Sequence, residues 1–388
     1  MQLKRHYLII FILLFSLKNS QAQFVTIPDP NFVTWLNNNG FAGCMNGNQM
    51  DTTCSLVVND TSINCSNSNI IDLTGITYFD NLAFLDCNSN SLNSLTTLPP
   101  YLTTLVCYNN LLTALPSLPS SLTGLTCSNN QLTTLPALPD SLIILNCEEN
   151  QLSALPTLPN SLINLICNSN QLTSLPVLPN SLLYLICHTN QLTSLPVLPT
   201  SLITLNCNTN QITSLPFLPS SITELYCFNN QLTSLPSLPS SLILFSCYSN
   251  QLTSLPALSS SLSSLHCYNN QLTSLPALPY SLALLSCRNN QLVSLPALSD
   301  SLKFLDCQNN HLTSLPTLPV SLTTLECQYN SLTSLPSLPS SLTFLECNSN
   351  YLVSLPALPS SLVWLDCGLN QLTSLPTLPA SLTTLSCG

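Results

Sequence analysis

Cysteine is the most regularly spaced residue in this 388-residue chain, which contains 19 cysteines. Sixteen of them, the cysteine ladder, follow one another every twenty residues from Cys87 to Cys387. Thiols can form disulfides, bind metals or act as nucleophiles. No C-x-x-C motif or histidine at ligand spacing accompanies the ladder, so neither a metal nor a cofactor is expected. Cys44 and Cys54 lie outside the ladder, close in sequence, and are the predicted disulfide.

Each ladder cysteine ends a short segment in which apolar and polar residues alternate, a pattern typical of a strand whose cysteine faces the core. A free cysteine in that place acts as a small hydrophobe. Equivalent cysteines on neighbouring parallel strands keep their Cβ atoms about 4.8 Å apart, wider than the roughly 3.5–4.5 Å of a disulfide. We therefore expect buried free thiols, even in an oxidising compartment.

Acidic and aromatic residues also recur at fixed places. If the leucine five residues before each ladder cysteine is position 1, the cysteine is position 6, and positions 3, 5, 7 and 8 are predicted to face solvent on a concave sheet. Position 5 of four successive repeats carries an acidic row, formed by Asp306, Glu326, Glu346 and Asp366. Beside it, position 3 carries Phe304, Phe344 and Trp364. An aromatic patch nearer the N-terminus consists of Tyr226, Phe228, Tyr248, His266 and Tyr268.

These side chains predict a ligand-binding surface. Aromatic residues anchor many interfaces, and carboxylates beside them suit a neutral or cationic partner, either a protein or a glycan. Like charges stacked about 4.8 Å apart repel one another and weaken the sheet, so a cationic partner would relieve them. Calcium is less favoured, because it needs more oxygen ligands than one row supplies.

An enzyme is not expected. The histidines after the first twenty-two residues, His188, His266 and His311, are not placed by the repeat beside a nucleophile and a carboxylate. The chain contains seven glycines, and none forms a phosphate-binding loop.

The elements that position these residues come from the repeat itself. Residues 202–221 carry apolar side chains at positions 1, 4, 6, 11, 14 and 17, with asparagine at position 9. That asparagine recurs from Asn90 to Asn370, where its amide is predicted to satisfy backbone groups at the turn after each strand. The pattern resembles the leucine-rich repeat, with cysteine in place of one leucine. The resemblance implies a horseshoe-shaped solenoid with about sixteen short parallel strands on its concave face.

The other half of each repeat reads Leu-Pro-x-Leu-Pro and accounts for most of the 30 prolines. Proline fixes φ, donates no hydrogen bond and pushes the preceding residue to an extended conformation, so a polyproline II arm is predicted on the convex face. Ser259 and Ser299 replace the second proline in two repeats, where slightly looser coils are expected.

The N-terminal region differs from the repeats. Residues 1–22 have the charge, apolar run and small-residue cleavage site of a signal peptide cut after Ala22. Residues 23–62 are the predicted N-terminal cap, with a short helix that Asp29 can cap, Pro30 can begin and Gly40 can follow. Residues 63–388 are the predicted solenoid, with no C-terminal cap.

Charge narrows the range of partners. Beyond residue 22 only Arg288 and Lys303 are basic against 15 acidic residues, a formal charge of −13. Nucleic acid and anionic membranes attract clustered cations, so neither is an expected partner. The only long apolar run lies in the predicted signal peptide, so no membrane insertion is expected.

Two groups of bacterial proteins share these motifs. The unit in residues 215–234 resembles the repeats of type III-secreted effectors, and residues 27–32, 71–76 and 85–87 are similar to exported leucine-rich-repeat proteins of Bacteroidetes. The resemblance implies a secreted or cell-surface adhesion module that binds through its concave face. Two alternatives stay open: a solenoid that orders ice or water through threonines at position 12, and the N-terminal part of a longer cell-surface protein.

Overall fold

The computed structural model describes residues 23–388, so the predicted signal peptide lies outside the described residues. The N-terminal cap contains a small antiparallel sheet in the order β1-β3-β2 and two short α-helices. Its strands and helices are β1 Phe24–Thr26, α1 Pro30–Leu36, β2 Met45–Asn46, β3 Gln49–Asp51 and α2 Ser55–Asn59. A π-type turn at Asn37–Phe41 and a 3-10 turn at Ala42–Cys44 connect α1 to β2.

Helix α1 is the short capping helix that the sequence predicts. The Asp29 side chain accepts hydrogen bonds from the backbone N–H groups of Asn31 and Phe32, and Pro30 occupies the first turn. The other carboxylate oxygen of Asp29 accepts from the N–H groups of Ile71 and Asp72, although these residues lie more than forty positions later. Asp29 is 1% exposed, so one buried carboxylate caps the helix and also fastens it to the first coil.

The repeats form one parallel sheet in which each strand pairs with the next in chain order. The first half of this sheet consists of β4 Ser62–Asn64, β5 Phe84–Asp86, β6 Thr104–Val106, β7 Gly124–Thr126, β8 Ile144–Asn146, β9 Asn164–Ile166, β10 Tyr184–Ile186, β11 Thr204–Asn206 and β12 Glu224–Tyr226. It continues through β13 Leu244–Ser246, β14 Ser264–His266, β15 Leu284–Ser286, β16 Phe304–Asp306, β17 Thr324–Glu326, β18 Phe344–Glu346, β19 Trp364–Asp366 and β20 Thr384–Ser386. A 3-10 turn, Ile76–Tyr78, lies between β4 and β5.

Strand register follows the repeat. In the pairing of β11 with β12, Thr204, Leu205 and Asn206 lie opposite residues twenty positions later, and the same offset holds from β5 to β20. Equivalent positions therefore form columns that run across the sheet. The solenoid of parallel strands is confirmed, with seventeen strands in the described residues against the predicted sixteen or so.

The core consists of the apolar columns. Leucine or isoleucine at positions 1, 4 and 11 and cysteine at position 6 are almost completely buried, as at Leu202, Leu205, Cys207 and Ile212. The Leu-Pro arm forms neither helix nor strand in any of these repeats. The thin convex side follows from proline, which cannot donate hydrogen bonds to a regular element.

The two serines that replace proline do not loosen their coils. The Ser259 hydroxyl donates to the Ser240 carbonyl at 2.7 Å, and Ser299 donates to the Tyr280 carbonyl at the same distance. Each serine oxygen also accepts from a backbone N–H two residues later, and both side chains are buried. The expectation of looser coils is wrong, because the hydroxyl supplies a bond to the preceding repeat that proline cannot make.

The asparagine column closes each turn, as predicted. The Asn210 amide donates to the carbonyls of Cys187, Cys207 and Asn208, and its oxygen accepts from the Leu192 N–H. The preceding residue, Thr209, has a φ of 51°, and position 8 has a positive φ from Ser89 to Leu369. This left-handed residue produces the sharp bend, and the sequence carries little sign of it, because only some repeats have asparagine there.

Candidate functional site

The outward-facing positions of β12 to β19 contain the residues that the sequence selects for binding. Position 4 of each repeat, the central residue of the strand, is buried, so positions 3 and 5 lie on the opposite face of the sheet. Position 7 comes two residues after position 5, just beyond the end of the strand. We call this surface the strand face. Most of its side chains are partly buried, because each is covered on two sides by neighbours in the same column.

The aromatic patch contains a continuous stack of rings. Phe228, Tyr248 and Tyr268 occupy position 7 of successive repeats, with ring centroids 4.2 Å apart in both pairs and interplanar angles of 11° and 9°. His266 meets Tyr268 edge to face at 6.5 Å, and the Tyr226 hydroxyl lies 3.4 Å from the Glu224 carboxylate. The rings cover one another's faces and present their edges to solvent.

Burial changes the ionisation of this patch. Burial, followed by the contact with Tyr268, raises the pKa of Tyr248 to about 12. The pKa of His266 is lowered, first by burial and then by the nearby Arg288 charge, with Asp306 acting in the opposite direction. Both shifts favour the uncharged forms of Tyr248 and His266.

Arg288 joins the aromatic patch to the acidic row. Its guanidinium carbon lies 4.5 Å from the centre of the Tyr268 ring, and its Nη1 is 3.4 Å from Oδ2 of Asp306. Arg288 occupies position 7 of the repeat after Tyr268, so it continues the stacked column. A cation over an aromatic face is attracted by the ring quadrupole, and here the same cation also neutralises a carboxylate.

Asp306 is not on the surface, contrary to the sequence-based expectation for the acidic row. It is 1% exposed, accepts from the Ser286 hydroxyl at 2.8 Å and pairs with Arg288. The small serine on the preceding strand leaves room for the carboxylate, and Arg288 covers it. A paired and hydrogen-bonded carboxylate can be buried where an isolated one cannot.

The rest of the acidic row remains partly accessible. The pKa of Glu326 is raised to about 7, first by burial and then by the charges of Asp306 and Glu346, while Arg288 lowers it. The pKa of Glu346 is also raised, by burial first and then by Asp366 and Asp306. The sequence predicts the repulsion between these carboxylates. Burial by neighbouring side chains contributes more to both raised pKa values, and the sequence does not predict it.

Two glutamines at position 7 bridge the acidic row. Gln308 donates to Glu326 at 3.3 Å, and Gln328 donates to Glu346 at 2.8 Å and to the Gln308 side-chain oxygen at 3.1 Å. The recurrence of acidic and aromatic residues does not single out Ser286, Arg288, Gln308 or Gln328 for this site. The spacing does indicate these positions, because positions 5 and 7 of every repeat lie on the same face of the sheet.

Of the three aromatic residues at position 3, two stack on each other and the third lies apart. Phe344 and Trp364 stack with centroids 5.6 Å apart and an interplanar angle of 13°, and Trp364 is 36% exposed. Phe304 is separated from them by Thr324, which occupies position 3 of the intervening strand. Asp366, at the end of the row, accepts a hydrogen bond from the Gly368 N–H at 3.1 Å.

The cysteine ladder runs beneath the strand face. The structure contains a Cys44–Cys54 disulfide in the cap, and the other seventeen described cysteines are free, all of them buried except Cys387. Burial raises the pKa of the Cys207 thiol to about 12, which leaves little thiolate for chemistry. Within residues 23–388 no group of histidine, cysteine or acidic side chains is arranged to hold a metal ion. That range also contains no helix long and apolar enough to cross a membrane.

Comparison with solved structures identifies similar proteins. YopM from Yersinia enterocolitica is 38% identical, with a TM-score of 0.81 over 84% of this chain and 78% of that chain. YopM from Yersinia pestis, described as a leucine-rich effector protein, is also 38% identical, with a TM-score of 0.70 over 78% of this chain and 87% of that chain. The chain therefore belongs to the leucine-rich-repeat proteins.

A third similar structure is also described as having a cysteine ladder. The functional domain of InlJ from Listeria monocytogenes, which includes a cysteine ladder, is 27% identical, with a TM-score of 0.70 over 90% of this chain and 76% of that chain. No protein-family profile matches this chain, and comparison with curated proteins gives no match.

Proposed function

We propose that this chain is an exported binding module that holds a protein partner on its strand face between β12 and β19. One observation carries the proposal: side chains from seven consecutive repeats form one connected surface, from the Phe228 ring through Arg288 to Glu346. Ordering these side chains in the free protein lowers the entropy cost of binding. The Yersinia pestis YopM structure of similar sequence is described as a leucine-rich effector protein, and its likeness to this chain supports the solenoid as the frame of the binding face.

The arrangement of the rings favours protein over glycan. A sugar packs best on an open aromatic face, and the faces of Tyr248 are covered by Phe228 and Tyr268, while Tyr268 is also covered by Arg288. The exposed edges and hydroxyl groups suit the mixed apolar and polar surface of a protein. Binding of a sugar in place of a peptide would contradict this part of the proposal.

Export and surface delivery are part of the same proposal. The composition of residues 1–22 supports a signal peptide, and a disulfide in the cap suits an oxidising compartment. N-terminal sequencing of protein recovered from the culture medium should begin at Gln23. Recovery of the full-length chain from the cytoplasm alone would contradict export.

The binding test uses a library of random displayed peptides, selected against the purified protein. Tyr248→Ala removes both contacts of the central ring and should abolish enrichment of the selected peptides. Phe217→Ser is the matched control, since Phe217 is an aromatic residue, 75% exposed, on the convex arm. If enrichment survives Tyr248→Ala but is lost with Phe217→Ser, the binding surface is on the convex side and the proposal fails.

A second candidate function is supported by the threonine column at position 12. Thr193, Thr213 and Thr233 are exposed in successive repeats, and the backbone beside them is regular, since the Gln211 N–H donates to the Leu192 carbonyl at 2.8 Å. A regular array of threonines could order water or ice. Thermal hysteresis in concentrated protein solution, lost when these threonines are replaced by tyrosine, would make this the better assignment.

A further inference from the structure

Gln328 carries an unpaired polar atom within the acidic row. Its side chain is 6% exposed, and its amide nitrogen donates to both Gln308 and Glu346. Its side-chain oxygen is buried and has no hydrogen-bond partner in the described part of the chain. A buried acceptor without a donor is costly, and each such atom in a folded protein calls for an explanation. The oxygen has almost no accessible surface of its own, so a donor from outside the chain reaches it only when the Gln328 side chain turns.

The neighbours of that oxygen are also acceptors. Glu326 lies two residues before Gln328 at the end of β17, and Glu346 lies on the next strand, β18. Both glutamine N–H₂ groups are already used to bridge the row. Arg288 is paired with Asp306, and this is the one ion pair within residues 23–388. Among the described residues, the chain thus collects negative charge and an unpaired carbonyl oxygen around one point, and the cation that acts there, Arg288, is already paired with Asp306.

We propose that Glu326, Gln328 and Glu346 form a subsite for a basic side chain of the protein partner, either a lysine ammonium or an arginine guanidinium. This inference rests on the proposed function and specifies the chemistry that the strand face recognises. The ammonium or guanidinium has only donors, so it pairs with both carboxylates, and it also satisfies the orphaned oxygen once the Gln328 side chain turns toward it. It also relieves the repulsion along the row.

The adjacent aromatic pair fits the remainder of such a side chain. Phe344 lies two residues before Glu346 on the same face of β18, and it stacks on Trp364 of β19. The aliphatic stem of a lysine or arginine packs on apolar surface while its charged group stays hydrated or paired. A metal ion is a poorer occupant, because no cluster of acidic, histidine or cysteine ligands is arranged for one in the described residues.

Ionisation of Glu326 gives the subsite a pH signature. Its pKa of about 7 reflects burial and the charges of Asp306 and Glu346, against Arg288. Asp366 adds to the negative field from β19, through its effect on Glu346. Above pH 7 Glu326 is charged and attracts a cation, and below it the carboxyl is neutral. Binding of a basic ligand should therefore strengthen as pH rises from 6 to about 8.

The probe is a fluorescent peptide of glycine and serine with three spaced arginines, and its binding is followed by anisotropy. Matched peptides replace arginine by lysine or by citrulline, which keeps the shape of arginine and lacks its charge. The arginine or lysine peptide should bind about tenfold more tightly than the citrulline peptide, as expected for loss of one charge-assisted contact. Equal binding of all three peptides would overturn the proposal.

Variants separate the subsite from the overall negative charge. The double substitution Glu326→Gln and Glu346→Gln should weaken binding of the basic peptide by about tenfold or more, and the remaining binding should no longer depend on pH. At pH 8, where Glu326 is charged, Glu148→Gln with Glu149→Gln makes the same change in net charge just after β8 and should leave binding within about twofold. Equal weakening by both pairs would mean non-specific attraction, and displacement of the peptide by calcium alone would mean a metal site. Either result would refute the subsite.

A failure of the subsite can be told apart from a failure of the proposed function. If displayed peptides selected on the protein lack basic residues, bind the Glu326/Glu346 variant normally and depend on Tyr248, the strand face binds protein without this subsite. If no peptide depends on Tyr248, the proposed function itself is wrong, whatever the arginine peptide does.

Discussion

Replacing Asn210 by alanine should destabilise the solenoid in its middle, and the structure gives the size of the effect. Asn210 makes four hydrogen bonds, three as donor and one as acceptor. The carbonyls of Cys187 and Cys207 each keep another amide donor, from Asn190 and Asn230. The N–H of Leu192 has no other partner within residues 23–388 and would be left buried and unpaired.

The orphaned N–H therefore dominates the cost. A buried backbone donor without a partner costs about 1–3 kcal/mol, and loss of the amide's own bonds adds about 1 kcal/mol, so the free energy of unfolding should fall by about 3 kcal/mol. Asn210→Asp keeps the acceptor for Leu192 but turns a carboxylate toward three carbonyl oxygens. That variant should also be destabilised at neutral pH and should recover as pH falls, because a protonated carboxyl can donate.

Urea unfolding followed by circular dichroism measures the change in the free energy of unfolding, and hydrogen exchange measures how far the Leu192 amide loses its protection. Gln211→Ala is the control, since that side chain is exposed and makes no hydrogen bond in the described structure, and its cost should stay within about 0.5 kcal/mol. A loss below about 1 kcal/mol for Asn210→Ala, with the Leu192 amide still protected, would refute the reasoning that the asparagine column closes the coils.

Three further predictions concern charge, redox state and the cap. Glu326→Gln with Glu346→Gln should raise the free energy of unfolding at pH 8 by about 0.5–1 kcal/mol, the size expected after solvent screening. Because the folded pKa of Glu326 lies above its unfolded value, the gain should fade as pH falls through 7 toward 4.5, and a gain that persists at acid pH would contradict this origin. Thiol titration of the denatured protein should find seventeen free cysteines and one disulfide, between Cys44 and Cys54, whereas paired ladder cysteines would contradict a thiol core. Asp29→Ala should lower the free energy of unfolding by about 3 kcal/mol, from the lost helix cap and the unpaired N–H groups of the first coil. If hydrogen exchange then opens the cap and the solenoid equally, the cap is not a separate element fastened by this carboxylate.

The sequence predicts the scaffold well because one repeat corresponds to one coil. A period of twenty places residue 205 beside 225, so the buried leucine and cysteine columns and the turn asparagine can be derived from spacing alone. The cap helix is predictable for a local reason, since Asp29 and Pro30 act on the backbone within one turn. The second role of Asp29, its contact with Ile71 and Asp72, depends on how the cap docks and has no local signal.

The candidate site is predictable only in part. Spacing brings Phe228, Tyr248 and Tyr268 into one column, and it predicts that the carboxylates of β16 to β19 lie side by side. Whether a column residue is buried depends on the neighbouring column. Asp306 is covered because Ser286 is small and Arg288 reaches across to it.

The sequence by itself thus determined the repeat, the register, the thiol core and the residues of the strand face, because these follow from a fixed period and from the alternation of side chains across a strand. Only the tertiary structure decided which charges are paired, how far the pKa of Glu326 is raised and that the side-chain oxygen of Gln328 lacks a donor. These properties depend on side-chain packing between columns, where a difference of one residue in size or charge changes burial, and no period in the sequence encodes that packing.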